Sequence, residues 1–451
     1  LPIDRAPAGG DTYPLPVLDA YPVKPARPAV RIGATIVSHS VVDFFSFVPI
    51  ALMPLLTSRL DLSIKQEAQL IGIGAICSGA VQPVVAWASD RFDTRLFGSA
   101  GLALAAICVG LFGWVDHFWQ LAVLMATGTM GIGAFHPPSA AAAGHLGGTK
   151  RSFVVAAFFL AGMLGGMAGN VFSPVYVEAA ARIAGGSETP DYGAGLRALA
   201  WLVIPAVLVA LVLMRAIRSV GHRHHDAHEK HATLPPRERS ARWAATGLLY
   251  IGNIVRFTAD LSLAFLLIQW SKMVTQDTAS LEVLTQQAGA EASTLNGLLQ
   301  AFKQLGMGVV GLLAGTFLPM RLAKPALVLA PWFGAIAAVS LPYAAHAAPG
   351  AERWVGLALA MCAGVGIGSM VPVTIALAQR LLPHRTSLAS GMMMGGAWVF
   401  APVGPWIMEV LIAREGVGLD GAFLGLGCIL VFAGLLGLLL PGKLIRELPS
   451  D

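Results

Sequence analysis

Twelve apolar runs, each long enough to cross a bilayer, constrain this 451-residue chain more than any other feature. A membrane helix needs about 20 mostly apolar residues. Runs of that kind lie at 30–57, 66–89, 95–115, 119–145, 152–182 and 195–219, and again at 243–272, 291–318, 324–345, 353–381, 386–413 and 418–441. Only 12% of residues are charged, against about 25% in a soluble domain, so the composition excludes an ordinary soluble enzyme. The expected fold is all-α: a multi-pass membrane protein of twelve transmembrane helices in two six-helix bundles.

Domain boundaries follow from what the runs leave over. Residues 1–29 read as a Pro-rich tail, since residues 1–30 hold seven prolines and no apolar core of a cleavable signal. Residues 30–219 form the first bundle, 220–242 a polar His-rich linker, 243–441 the second bundle and 442–451 a short tail. Of the 30 Lys and Arg, 21 fall in the tails, the linker and the loops on the same side as the termini, and 7 on the opposite side. By the positive-inside rule, both termini, the linker and the tails are cytoplasmic. Cys77, Cys108, Cys362 and Cys428 sit in apolar runs without paired spacing and read as small packing residues.

The halves repeat. Gly131-Ile132-Gly133 with Pro137 in the fourth span matches Gly366-Ile367-Gly368 with Pro372 in the tenth. His39 and Asp43 in the first span have the same four-residue spacing as Arg256 and Asp260 in the seventh. Matching features in the same order make the repeat parallel, about an axis along the membrane normal.

Ionisable groups inside spans are costly and mark cavities, pathways or partners. His39 with Asp43, and Arg256 with Asp260, each share a helix face. Asp43 and Asp260 are therefore the candidate proton-binding carboxylates, with His39 and Arg256 as their modulators, because separating such a group from its partner changes its proton affinity. The alternative reading is static helix-locking pairs. Gln300, Lys303 and Gln304 form a polar stripe in the eighth span and, with His136 beside Pro137 and Pro138, are the candidate cavity lining. Lys303 is read either as attracting an anionic substrate group or as pairing with Asp43 or Asp260. Gly162, Gly165, Gly166 and Gly169, followed by Pro174, and Gly391, Gly395 and Gly396 give close-packing faces in the fifth and eleventh spans. Met392, Met393 and Met394 point around a helix and read as adaptable packing. In the linker, His222, His224, His225, His228 and His231 are a candidate transition-metal cluster, with a solvated loop as the plainer reading. No Gly-x-x-x-x-Gly-Lys-Ser/Thr loop is present, so neither nucleotide cofactor nor enzymatic activity is expected.

Several of these segments resemble the fosmidomycin-resistance branch of the major facilitator superfamily. They are Ser38-His39, Asp43 and Pro54-Leu55-Leu56; Gln82-Pro83-Val84-Val85; Gly131 through Phe135-His136-Pro137; Gly165-Gly166, Gly169 and Pro174; and Ala378-Gln379, Leu381-Leu382-Pro383, Arg385 and Ser390-Gly391. The superfamily's loop pattern G-x-x-x-D-R-x-G-R-K is met by Asp90, Arg91 and Arg95, the expected gate, but Ala86 and Asp93 replace its glycines. Its second-half counterpart keeps Gly311 and Arg321, with Gly315 at the Asp position. The resemblance implies proton-driven export of small organic, fosmidomycin-like compounds from a bacterial inner membrane by alternating access. The expected partners are a small-molecule substrate, protons and the lipid bilayer, with no nucleic acid; the Pro-rich tail is a candidate contact for another membrane protein. Two other functions fit the residues: transport of a transition metal or its chelate, and a non-transporting subunit or assembly factor of a membrane complex.

Overall fold

The computed structural model describes residues 28–89, 95–217, 235–276, 284–346, 350–383 and 385–446. Among them there is no strand. Among the described residues eleven helices are long and apolar enough to span a membrane, and the shorter apolar helix Val403–Ala413 supplies part of one more crossing. That one, the eleventh span, is broken because Thr386–Gly391 passes into a π-helical turn, Met392–Gly396, ahead of Pro402. The tenth is split in the same way, Glu352–Gly368 and Val371–Leu381, just before Pro372. The first span bends at Leu52 between Pro28–Ala51 and Met53–Leu60, and Asp61 ends it in a left-handed conformation with φ 50°.

The remaining spans, in order, are Ile64–Ser89, Arg95–Gly110, Phe118–Gly147, Arg151–Gly185 and the Tyr192–Ala216 stretch in the first half; and Pro236–Gln276, Gln286–Phe317, Met320–Ser340 and Gly418–Leu438 in the second. An even number of crossings returns both chain ends to one side, here the termini side; the other is the far side. Large apolar groups such as Trp119, Phe153 and Ile183 stand exposed on the outer surface, as a lipid-facing surface requires.

The repeated glycines explain why the halves fold alike. A side chain at Gly131 would strike the backbone of Gly101 in the third span, and one at Gly366 would strike Gly334 in the ninth. Two residues on, Gly133 faces Ser78 of the second span, and Gly368 faces Met307 of the eighth. Equivalent helices thus pack through equivalent small residues, which is the parallel pseudo-repeat in physical form. In the first half the fifth span also lies directly on the first, with Gly165 against the Ser40 backbone and Gly169 against that of Phe44.

The bundles meet along two seams. The second span packs on the eleventh, with Gly72 facing Trp406 and Gly79 facing Val399. The fifth packs on the eighth, where Gly297 faces Asn170 and Gly308 faces Met163.

Candidate functional site

Among the described residues, three clusters of polar side chains built around carboxylates lie inside this apolar frame. The first belongs to the first bundle. His39 and Asp43, one turn apart, are joined by His136 of the fourth span: His39 Nε2 lies 3.4 Å from Asp43 Oδ2, and His136 Nε2 lies 3.3 Å from Asp43 Oδ1. The imidazoles are fixed from behind. His39 Nδ1 donates to the Phe158 carbonyl at 2.7 Å, and His136 Nδ1 donates to that of Ile132 at 2.8 Å. The His39 ring also stacks on Phe158, centroid to centroid 3.9 Å. This cluster is part-exposed, with side-chain exposures of 17% for Asp43 and 24% for His136.

The second cluster belongs to the second bundle and is nearly sealed. Lys303 Nζ donates to Asp260 Oδ1 at 2.9 Å, joining the eighth span to the seventh. The expected Arg256–Asp260 pair does not form. Helical side chains lean toward the helix N-terminus, so Asp43 leans back toward His39, whereas the long Arg256 arm leans away from Asp260. Its guanidinium donates to Asn253 Oδ1 and to the Leu327 carbonyl, both at 3.3 Å. Arg256 thus makes no contact with Asp260 here, and Lys303 is the group paired with that carboxylate.

The expected lining residues face different partners. Gln300 is buried and spends its amide on the Ala264 carbonyl at 2.9 Å and on Asn296 Oδ1 at 3.2 Å, so it braces the seventh and eighth spans instead of lining a cavity. Gln304 reaches across the seam, accepting from Asn170 Nδ2 at 3.4 Å. Arg95 opens the third span. Asp90, Arg91 and His222, His224, His225, His228 and His231 lie outside the described residues.

The third cluster closes the far side, and none of its residues was among the sequence-predicted site residues. Glu67, fully buried, accepts from Lys272 Nζ at 2.8 and 3.0 Å, from Gln269 Nε2 at 2.5 Å and from Thr57 Oγ1. Glu67 and Thr57 belong to the first bundle, Lys272 and Gln269 to the second. A readable signal existed: Ser63 and Gln66 form a capping box, with Ser63 N–H donating to Gln66 Oε1 at 2.9 Å. That box starts the helix at Ile64 and draws Glu67 into it. Around this pair Leu55 N–H donates to Ser293 Oγ at 3.0 Å, and Asn296 Nδ2 donates to the Ile50 carbonyl at 2.6 Å. The far ends of the first and second spans are bolted to those of the seventh and eighth.

Comparison with known proteins agrees with this architecture. The model of the Major Facilitator Superfamily matches residues 35–359. The fosmidomycin resistance protein of Escherichia coli (strain K12) is 24% identical over 404 residues, covering 86% of this chain and 87% of that protein. Among solved structures, a bacterial homologue of the human lysosomal transporter Spinster, inward-facing and unoccupied, superposes with a TM-score of 0.71 at 13% identity, over 94% of this chain and 98% of that one. A proton-dependent oligopeptide transporter gives 0.65 at 14%, over 94% and 100%.

Proposed function

This chain belongs to the Major Facilitator Superfamily, a secondary-transporter family, and from that premise we propose that it is a proton-coupled exporter of small organic compounds, phosphonates such as fosmidomycin included, working by alternating access in a bacterial inner membrane with both termini cytoplasmic. The observation that carries this reading is the contrast between a far side bolted shut by Glu67–Lys272 and a polar interior that is part-exposed at Asp43 and His136. A transporter must be able to shut one mouth while the other stays open, and a buried charge pair between two bundles can exist in only one of those states.

Asp260 supplies the coupling. Its carboxylate is held by Lys303 within one bundle. Protonating it cancels the pair and leaves Lys303 able to turn toward another anion, which links proton binding to substrate binding through a single ammonium group. Asp43 is the corresponding carboxylate of the first bundle, placed where cations arriving from solvent meet it. The similarity to a fosmidomycin resistance protein supports the cargo class, and the 24% identity over most of both chains supports carrying it over.

The test is a reconstituted vesicle assay. The protein should move fosmidomycin against its concentration gradient when a pH gradient is imposed, and should stop when a protonophore collapses it. Transport unaffected by the protonophore would refute proton coupling.

A further inference from the structure

We propose that His39, Asp43 and His136 form a binding site for a divalent first-row transition-metal ion of the Zn2+ type. The case starts from what the three groups lack. Both Nδ1 protons are committed to backbone carbonyls, of Phe158 and Ile132, so both rings turn Nε2 toward the Asp43 carboxylate, and when the rings are neutral three Lewis bases converge there. Their ligand atoms all lie within 4.8 Å of one another. One proton satisfies one of the two nitrogen–oxygen edges and leaves the other imidazole facing the carboxylate unbridged. A metal ion satisfies all three groups at once.

Distances agree with this. His39 Nε2 lies 3.4 Å from Asp43 Oδ2 and His136 Nε2 lies 3.3 Å from Asp43 Oδ1, each close to the spacing of about 3.4 Å between ligands that bonds of about 2.0–2.1 Å give at a tetrahedral angle, so the carboxylate meets a shared ion through both oxygens or, after a small turn, through one. They are too long for good hydrogen bonds. The outer contacts also have the right form: ligating imidazoles commonly donate their second N–H to a carbonyl or carboxylate, which fixes the tautomer and aims the lone pair. Space is kept open too. A Cβ at Gly162 would sit 2.6 Å from both Asp43 Oδ2 and His39 Nε2, so the lack of a side chain there leaves a gap between two of the ligand atoms. Two imidazoles and one carboxylate suit zinc, cobalt, nickel or iron and do not suit magnesium or calcium. Partial exposure of Asp43 and His136 gives an ion its way in.

This inference does not rest on the proton-coupled reading, and the two fail separately. The experiment uses the full chain in detergent with His222, His224, His225, His228 and His231 all changed to Ser, so that the linker cannot bind metal. Co2+ is the probe, because its ligand-field bands report both stoichiometry and coordination. The expected result is one Co2+ per chain with the intense visible bands of a four- or five-coordinate site, displaced by Zn2+. His136→Ala and Asp43→Asn should each lower the affinity at least tenfold while the protein stays monodisperse. If His136→Ala does not fold, His136→Cys keeps a ligand and should add a thiolate-to-cobalt charge-transfer band. Absence of stoichiometric Co2+ in the linker-substituted chain, binding unchanged by Asp43→Asn, or no new band in His136→Cys would overturn the site. Vesicle transport of fosmidomycin is scored separately and bears on neither outcome.

Discussion

Two buried lysine–carboxylate pairs, Lys272–Glu67 and Lys303–Asp260, are nearly identical as bonds, at 2.8 and 2.9 Å, and differ entirely in what they join. The first ties one bundle to the other. The second lies inside a bundle. A bond within a rigid body contributes to both conformations of a rocking protein and shifts nothing, whereas a bond between the bodies counts only in the state that forms it. On the proposed function, the same chemistry is therefore a latch in one place and a binding group in the other.

The largest effect comes from breaking the latch on one side. Glu67→Gln or Lys272→Met leaves a buried charge without its partner, a loss of about 3–5 kcal/mol. Because only the far-side-closed state bears that loss, the far side should open, by a population shift of about a hundredfold or more. Spin labels on cysteines replacing the exposed Asp61 and Arg353, one per bundle on the far side, should show a longer distance in each single variant. The double variant Glu67→Gln/Lys272→Met should recover most of the closed population. Unchanged distances in the single variants would remove the latch from the account.

The next effect tests packing beside the carboxylate of the first bundle. Gly162→Ala places a methyl group 2.6 Å from Asp43 Oδ2 and His39 Nε2, and should cost about 1–3 kcal/mol, read as a lower melting temperature. Gly247→Ala is its control, in a helix where a Cβ would meet nothing within 4 Å, and should stabilise by about 0.4–1 kcal/mol. The smallest expected effect is none. Since Arg256 contacts Asn253 and Leu327 and not Asp260, Arg256→Met should leave the pH dependence of transport where it was; a displaced pH profile would restore Arg256 to the coupling site.

The comparison also shows what a sequence can and cannot carry. The spans, their order and the parallel repeat were legible because they depend on apolar length and on glycines spaced along one helix. Gly131 and Gly366 marked the repeat, and the structure supplies Gly101 and Gly334 as the surfaces they pack on. The His39–Asp43 pair was legible because both its members stand on one turn. Arg256–Asp260 shares that spacing and fails, because side-chain direction, not separation, decides the partner. His136 reaching Asp43 and Lys303 reaching Asp260 are contacts between helices, and a single chain read in one dimension offers only their residue types. Glu67 and Lys272 sit near span ends, where charges ordinarily face water. Only the meeting of four helix ends turns them into a buried pair.

The most direct measurement takes Asp260→Asn in vesicles and separates two modes of transport. A substituted amide no longer takes up a proton, yet leaves the latch at Glu67 and the rocking of the bundles in place. The account predicts that exchange of labelled for unlabelled fosmidomycin across the membrane survives, while accumulation driven by an imposed pH gradient is lost. Gradient-driven accumulation at the wild-type level in Asp260→Asn would contradict it.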